Sequence, residues 1–170
     1  MRWFWMDRYT IFESGKRAQA VKAITRSEEH LADHFPRHPV MPISLVIEGM
    51  AQASGILIHE YQGFSQKVVL GKIPRISFTD VDLVPGDFLV YDVEVDYIHD
   101  EGSMVSVMVH RNGEKIAEGS LIFAHLGEQF ADQPLYGDGD LDDLVRAFGV
   151  YDVGVDAEGK RLVDPSLRKA

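Results

Sequence analysis

The chain has 170 residues, 45% of them hydrophobic, enough to bury one substantial core. A formal net charge of −10 argues against nucleic-acid binding, because polyanions are held by phosphate neutralisation and this surface repels them. With no cysteine, disulfides and thiolate metal sites are excluded, and a reducing cytoplasm is the expected compartment.

Residues 1–8 are apolar over too short a stretch for a signal sequence, and no run approaches a membrane span, so a soluble, unprocessed protein is expected. Strands are expected near 7–13 and 17–25. In the second, Ala18, Ala20, Lys22 and Ile24 alternate with Gln19, Val21 and Ala23 without a clean polar face. Residues 28–32 read as a helical turn and 33–42 as a proline-rich loop. Pro42 then opens a long helix to about Tyr61, since proline is tolerated in a first turn, and Gly63 with Ser65 ends it. Gly49, Ala51, Ala53, Ser54 and Gly55 within that helix are small enough to let a sheet approach closely. Strands follow at about 66–78, 86–98, 103–111 and 114–126. Residues 92–97 alternate polar and apolar, and Asn112-Gly113 supplies a hairpin turn. One long helix with consecutive antiparallel strands is an α+β pattern.

The chemistry concentrates in His34-Phe35-Pro36-Arg37-His38-Pro39-Val40-Met41-Pro42, followed by Ile43-Ser44-Leu45-Val46-Ile47-Glu48-Gly49-Met50-Ala51-Gln52. A proline-braced histidine stands just before a helix whose residues 43–58 are nearly all apolar or small, with Glu48 as the anomaly. A carboxylate there is expected to be desolvated, and such a group is retained only if partnered or used. On these residues the stretch resembles the 3-hydroxyacyl-(acyl-carrier-protein) dehydratases of type II fatty acid synthesis, whose motif reads roughly HFPGHPxMPGxxxxEAMAQ. The histidine and glutamate are 14 positions apart, as in that family. The likeness continues through Lys72-Ile73-Pro74-Arg75-Ile76-Ser77-Phe78, Val84-Pro85-Gly86-Asp87 and Gly113-Glu114-Lys115-Ile116-Ala117-Glu118-Gly119, and so covers about 8–126.

The resemblance implies a hotdog fold, an antiparallel sheet wrapped around one long central helix. It also implies a homodimer or an assembly of dimers, each site combining the histidine loop of one chain with the glutamate helix of the other. The substrate would be a thioester on acyl carrier protein or coenzyme A, with no cofactor. Ile43 and Arg37 stand where the family has glycines; a branched side chain at Ile43 is expected to crowd the backbone N–H thought to hold the thioester carbonyl.

Dehydration needs a base for the α-proton, an acid for the leaving hydroxyl and donors for the developing enolate-like oxygen. His34 is the expected base. Glu48, if desolvated, holds its proton and is the expected acid; the two roles could also be reversed or fall to one group. The N–H groups of Ile43 and Ser44 at the helix start are the expected carbonyl donors. Gln52, one turn beyond Glu48, either orients it or satisfies itself against backbone. His38 reads as a loop-packing residue. Because carrier proteins are acidic, docking needs basic residues, and Arg37 and Arg75 flank the motif positions. Each residue has a plainer reading: a loop histidine is usually structural, a buried glutamate often pairs with an arginine, and a surface arginine is usually only solvated. Two rival functions are a hotdog acyl thioesterase and a non-catalytic acyl-binding or assembly subunit.

No zinc-type spacing is present. The calcium-loop likeness of Asp138-Gly139-Asp140-Leu141-Asp142-Asp143 fails at its sixth position, so no metal is expected. A dehydratase-like domain at 1–126 is thus expected to carry an acidic, partly ordered extension at 127–170, which has ten acids against five basic residues. There Leu141, Leu144, Val145 and Phe148 are spaced for a short amphipathic helix.

Overall fold

The computed structural model describes residues 4–127 and 140–164. Its strands are β1 (Arg8–Glu13), β2 (Arg17–Ala23), β3 (Lys67–Phe78), β4 (Phe88–His99), β5 (Gly102–Arg111), β6 (Glu114–Leu126) and β7 (Gly154–Val155). The helices are α1 (His30–Asp33), α2 (Ile43–Tyr61), α3 (Asp140–Ala147) and α4 (Val150–Val153). The strands form one sheet in the order β3-β6-β5-β4-β2-β1-β7, and α2 packs across β2, β3, β4 and β5, the α+β hotdog arrangement.

Period-two burial builds the sheet face against α2. Ala18 and Ala20 on β2, Leu89, Tyr91 and Val93 on β4, Val105, Val107 and Val109 on β5, and Leu121 and Phe123 on β6 all turn inward and are at most 3% exposed. From α2 they receive Val46, Met50, Ala53 and Leu57, fully buried at helical spacing. Gly49 permits the approach: a Cβ there would lie 2.6 Å from the Tyr91 hydroxyl and 2.8 Å from the Trp5 carbonyl. The buried Ser54 hydroxyl donates to the Met50 carbonyl at 2.7 Å, so a polar group inside the core is satisfied by its own helix.

Boundaries follow local chemistry. Pro42 (ψ 139°) precedes the helix as its cap instead of occupying the first turn, and Gly63 and Phe64, both at positive φ, end it. Asn112 (φ 51°) and Gly113 (φ 90°) make the turn between β5 and β6, with left-handed angles that few other residues tolerate. The lack of a polar face on β2 has a specific cause: Lys22 continues the inward row of Ala18 and Ala20 and is buried against Asp7 (3.4 Å) and Glu28 (3.1 Å).

The expectation of a purely antiparallel sheet is corrected at one edge. After α3 and α4, β7 runs parallel to β1, pairing Phe12 with Gly154 and Glu13 with Val155. Leu144, Val145, Phe148 and Val150 join the main core, and the Tyr9 N–H donates to the Phe148 carbonyl at 2.9 Å. At the opposite edge β3 pairs only with β6 among the described strands, leaving twelve residues of open edge.

Candidate active site

His34 follows α1, where the chain leaves helical geometry (φ −122°, ψ 78°). Its loop is held by backbone: Val40 N–H donates to the His34 carbonyl at 2.8 Å, Phe35 and His38 exchange N–H···O bonds at 3.2 and 3.0 Å, and Met41 N–H donates to Leu83 at 2.7 Å. The His34 ring lies 3.0 Å, through Nδ1, from the Val40 carbonyl. A carbonyl can only accept, so in the neutral ring the proton sits on Nδ1 and Nε2 keeps its lone pair. Phe35, 57% exposed, stacks on this ring at 4.3 Å. His38 points away to Asp82 at 2.7 Å and ties the loop to the β3–β4 connection.

Pro42 turns the chain into α2 with no side-chain cap on its first N–H groups. Ile43 and Ser44 are exposed, and their N–H groups have no intrahelical partner, as at any helix start. The Ile43 side chain stands in solvent and does not line the cleft beside α2 in its own chain.

The expected desolvation of Glu48 is not seen within one chain, where Glu48 is exposed. The apolar neighbours misled because Val46, Gly49, Met50 and Ala53 face the sheet, whereas Glu48 lies on the stripe turned away from it. That stripe carries its support. Gln52 Nε2 donates to Glu48 Oε1 at 3.3 Å while Gln52 Oε1 accepts the Trp5 N–H at 2.9 Å. Only one amide orientation satisfies both contacts, so Gln52 connects a backbone anchor to the carboxylate. Trp5, 8% exposed, packs edge-on against His30 at 5.0 Å; nothing in its local sequence marked it as the anchor.

Glu48 stands at one end of a cleft of about 340 Å³. Ala51, Gly55 and Ile56 of α2 form one side, and Val68, Val69 and Leu70 of β3 another. Leu141, Leu144 and Phe148 close over it. At the far end His59 Nδ1 donates to the Gly55 carbonyl at 2.9 Å and Nε2 accepts the Val68 N–H at 3.2 Å. Burial pushes the His59 pKa down, so it stays neutral with both nitrogens engaged.

His34 does not line this cleft, and no contact joins it to Glu48 within the chain. Nor do Arg37 and Arg75 form a basic patch. Arg37 is exposed on the loop, and Arg75 lies on β3 by a groove with Asp92, Glu94 and Glu118, its guanidinium 3.8 Å from Glu118. Among the described residues no group of three or more His, Asp or Glu could hold a metal ion; Asp138 and Gly139 of the calcium-like stretch lie outside them.

Comparison with known proteins places the chain in a family. The FabA-like domain model matches residues 3–125. A 3-hydroxyacyl-(acyl-carrier-protein) dehydratase FabZ of Clostridium kluyveri is 35% identical over 119 residues, 69% of this chain and 82% of its own. The protein of that name from Caldicellulosiruptor bescii is 33% identical over 120 residues, 70% of this chain and 85% of its own. Among solved structures, the dehydratase heterocomplex ApeI:P from Xenorhabdus doucetiae superposes with a TM-score of 0.59 at 14% identity, covering 78% of this chain and 89% of that one, a likeness of fold. With nearly three quarters of its residues inside the match, the chain belongs to the FabA-like domain family.

Proposed function

We propose that the chain dehydrates 3-hydroxyacyl thioesters carried by acyl carrier protein to trans-2-enoyl thioesters, using His34 and Glu48 from two copies. The carrying observation is the complementary preparation of the two groups. His34 is locked with Nε2 presented, Glu48 is held by Gln52, and neither reaches the other in one chain. A second copy pairing along the open β3 edge supplies the missing half.

In the dimer His34 Nε2 takes the α-proton. Glu48, desolvated once the partner covers its stripe, gives its proton to the departing hydroxyl, and water leaves as the C2–C3 double bond forms. The Ile43 and Ser44 N–H groups, at the positive end of α2, hold the thioester oxygen as charge builds on it. Return of the proton from His34 to Glu48 resets the site. The exposed Arg37 beside the histidine loop is the docking contact for an acidic carrier, and the reaction belongs in the cytoplasm.

The test is purified protein with a 3-hydroxyacyl thioester, followed by the absorbance of the conjugated enoyl product and by thiol release. Enoyl formation without free thiol is expected. Free thiol alone means a thioesterase, and neither product means a binding subunit; both overturn the reading.

A further inference from the structure

We propose that the C-terminal segment around α3 sets the length of acyl chain that the cleft beside α2 admits; the inference rests on the acyl-thioester reading above. The family match ends at residue 125, yet Leu141, Leu144 and Phe148 form one wall of the cleft. The dehydratase-like part therefore meets its ligand together with a wall supplied from beyond the family's residues.

This wall is fixed in place. Leu144 and Phe148 are 6% and 3% exposed, Val145 between them is fully buried, and Phe4 packs edge-on against Phe148 at 5.3 Å. The Phe148 carbonyl takes the Tyr9 N–H, Gly149 turns the chain at φ 68°, and β7 then adds to the sheet. Downstream, Arg146 Nε meets Asp164 at 2.8 Å and closes the segment on itself. Such a wall selects by shape, because moving it would break core packing, backbone pairing and an ion pair together.

Chemistry narrows the occupant to an alkyl chain. Glu48 and Gln52 gather at one end, and the walls between are aliphatic or aromatic. His59 at the far end has both ring nitrogens engaged with backbone, so the deep end offers no free ring nitrogen to a polar head. From Glu48 to His59 the helix advances about 16 Å, at about 1.5 Å per residue. An extended chain gains about 1.2 Å per bond, so the stripe accommodates on the order of a dozen chain atoms past the reacting carbons.

The experiment compares kcat/KM across a series of straight 3-hydroxyacyl thioesters from short to long. Leu141→Trp changes a half-buried position at the start of α3 and projects bulk into the cleft. It should lower the long-to-short ratio at least tenfold, as loss of one or two methylene contacts does. Leu144→Ala should raise the ratio about fourfold for each methylene newly accommodated. Folding is checked by circular dichroism; if Leu144→Ala does not fold, Leu141→Trp alone decides. An unchanged ratio in folded variants overturns the inference. Should the wild type turn over no chain length, calorimetric binding of non-reactive acyl-pantetheine analogues replaces kinetics. A length preference that Leu141→Trp shortens then keeps the wall and removes the dehydratase reading, whereas equal affinities at every length in both proteins overturn the wall as well.

Discussion

Gln52 is the residue at which stability and activity should separate, because one amide serves a backbone donor and a carboxylate at once. Gln52→Leu keeps the bulk and removes the hydrogen bonds to the Trp5 N–H and to Glu48. The Trp5 N–H, on a residue 8% exposed, loses its 2.9 Å acceptor. An unsatisfied buried donor costs about 1–3 kcal/mol. For a chain of this size each kcal/mol lowers Tm by about 2–4 °C, so thermal unfolding should shift down by about 2–12 °C. The second loss is to the reaction: Glu48, freed of its 3.3 Å partner, samples several rotamers. Misplacement of a reacting group by about 1 Å costs about 10²-fold, so kcat should fall by about 10- to 100-fold with KM little moved. Differential scanning calorimetry and initial rates on one preparation read the two effects. A lower Tm with unchanged kcat would leave Gln52 a structural residue and refute its role in orienting Glu48.

His34→Ala and Glu48→Gln should each lower dehydration by about 10²- to 10⁴-fold while folding is retained, and near-wild-type turnover by either folded variant would remove that residue from the mechanism. Co-refolding inactive His34→Ala with inactive Glu48→Ala should restore about one quarter of wild-type activity, since half of the dimers are mixed and each holds one intact site; once subunit exchange is verified, no recovery would sink the shared site. Glu60 gives a pH test: burial holds its carboxyl above the ordinary range, Asp156 adds to this and the Ser14 hydrogen bond opposes it. The folded state therefore binds this proton more tightly, so the stability it contributes is full below pH ~4 and is lost as pH rises through the folded value. Glu60→Gln should match wild type in acid and gain in Tm towards neutral pH; a constant difference at all pH values would contradict that account.

Local chemistry was the legible part of this sequence. Asn112-Gly113 announces its turn because few other pairs tolerate two left-handed residues, and the proline-braced loop ahead of a long small-residue helix carries the family likeness. What stayed hidden depends on partners distant in the chain. Glu48 sits among apolar neighbours, but only the helix's orientation on the sheet decides that it is exposed. Lys22 is buried because Asp7 and Glu28 converge on it, and no window around β2 contains both. Gln52 looked equally suited to orienting Glu48 or bonding backbone, and the structure has it do both. For residues 140–164 the spacing of Leu141, Leu144 and Phe148 announced a helix, while its seat over the cleft follows from β7 pairing with β1.

The two borders of the sheet are unequal, and that inequality limits how far copies can add. Beyond β1 the described sheet ends in a two-residue strand, too short to template a newcomer, whereas β3 offers twelve residues. Yet β3 is itself interrupted. Its ladder with β6 slips between Leu70 and Lys72 and again between Lys72 and Arg75, and Pro74 lacks an N–H to give. Lys72 and Arg75 on that half are exposed, and Arg75 stands 3.8 Å from Glu118. A copy added along β3 would use up that border and leave only the two-residue strand beyond β1 in the described sheet, so addition of this kind could not repeat end over end into a fibre.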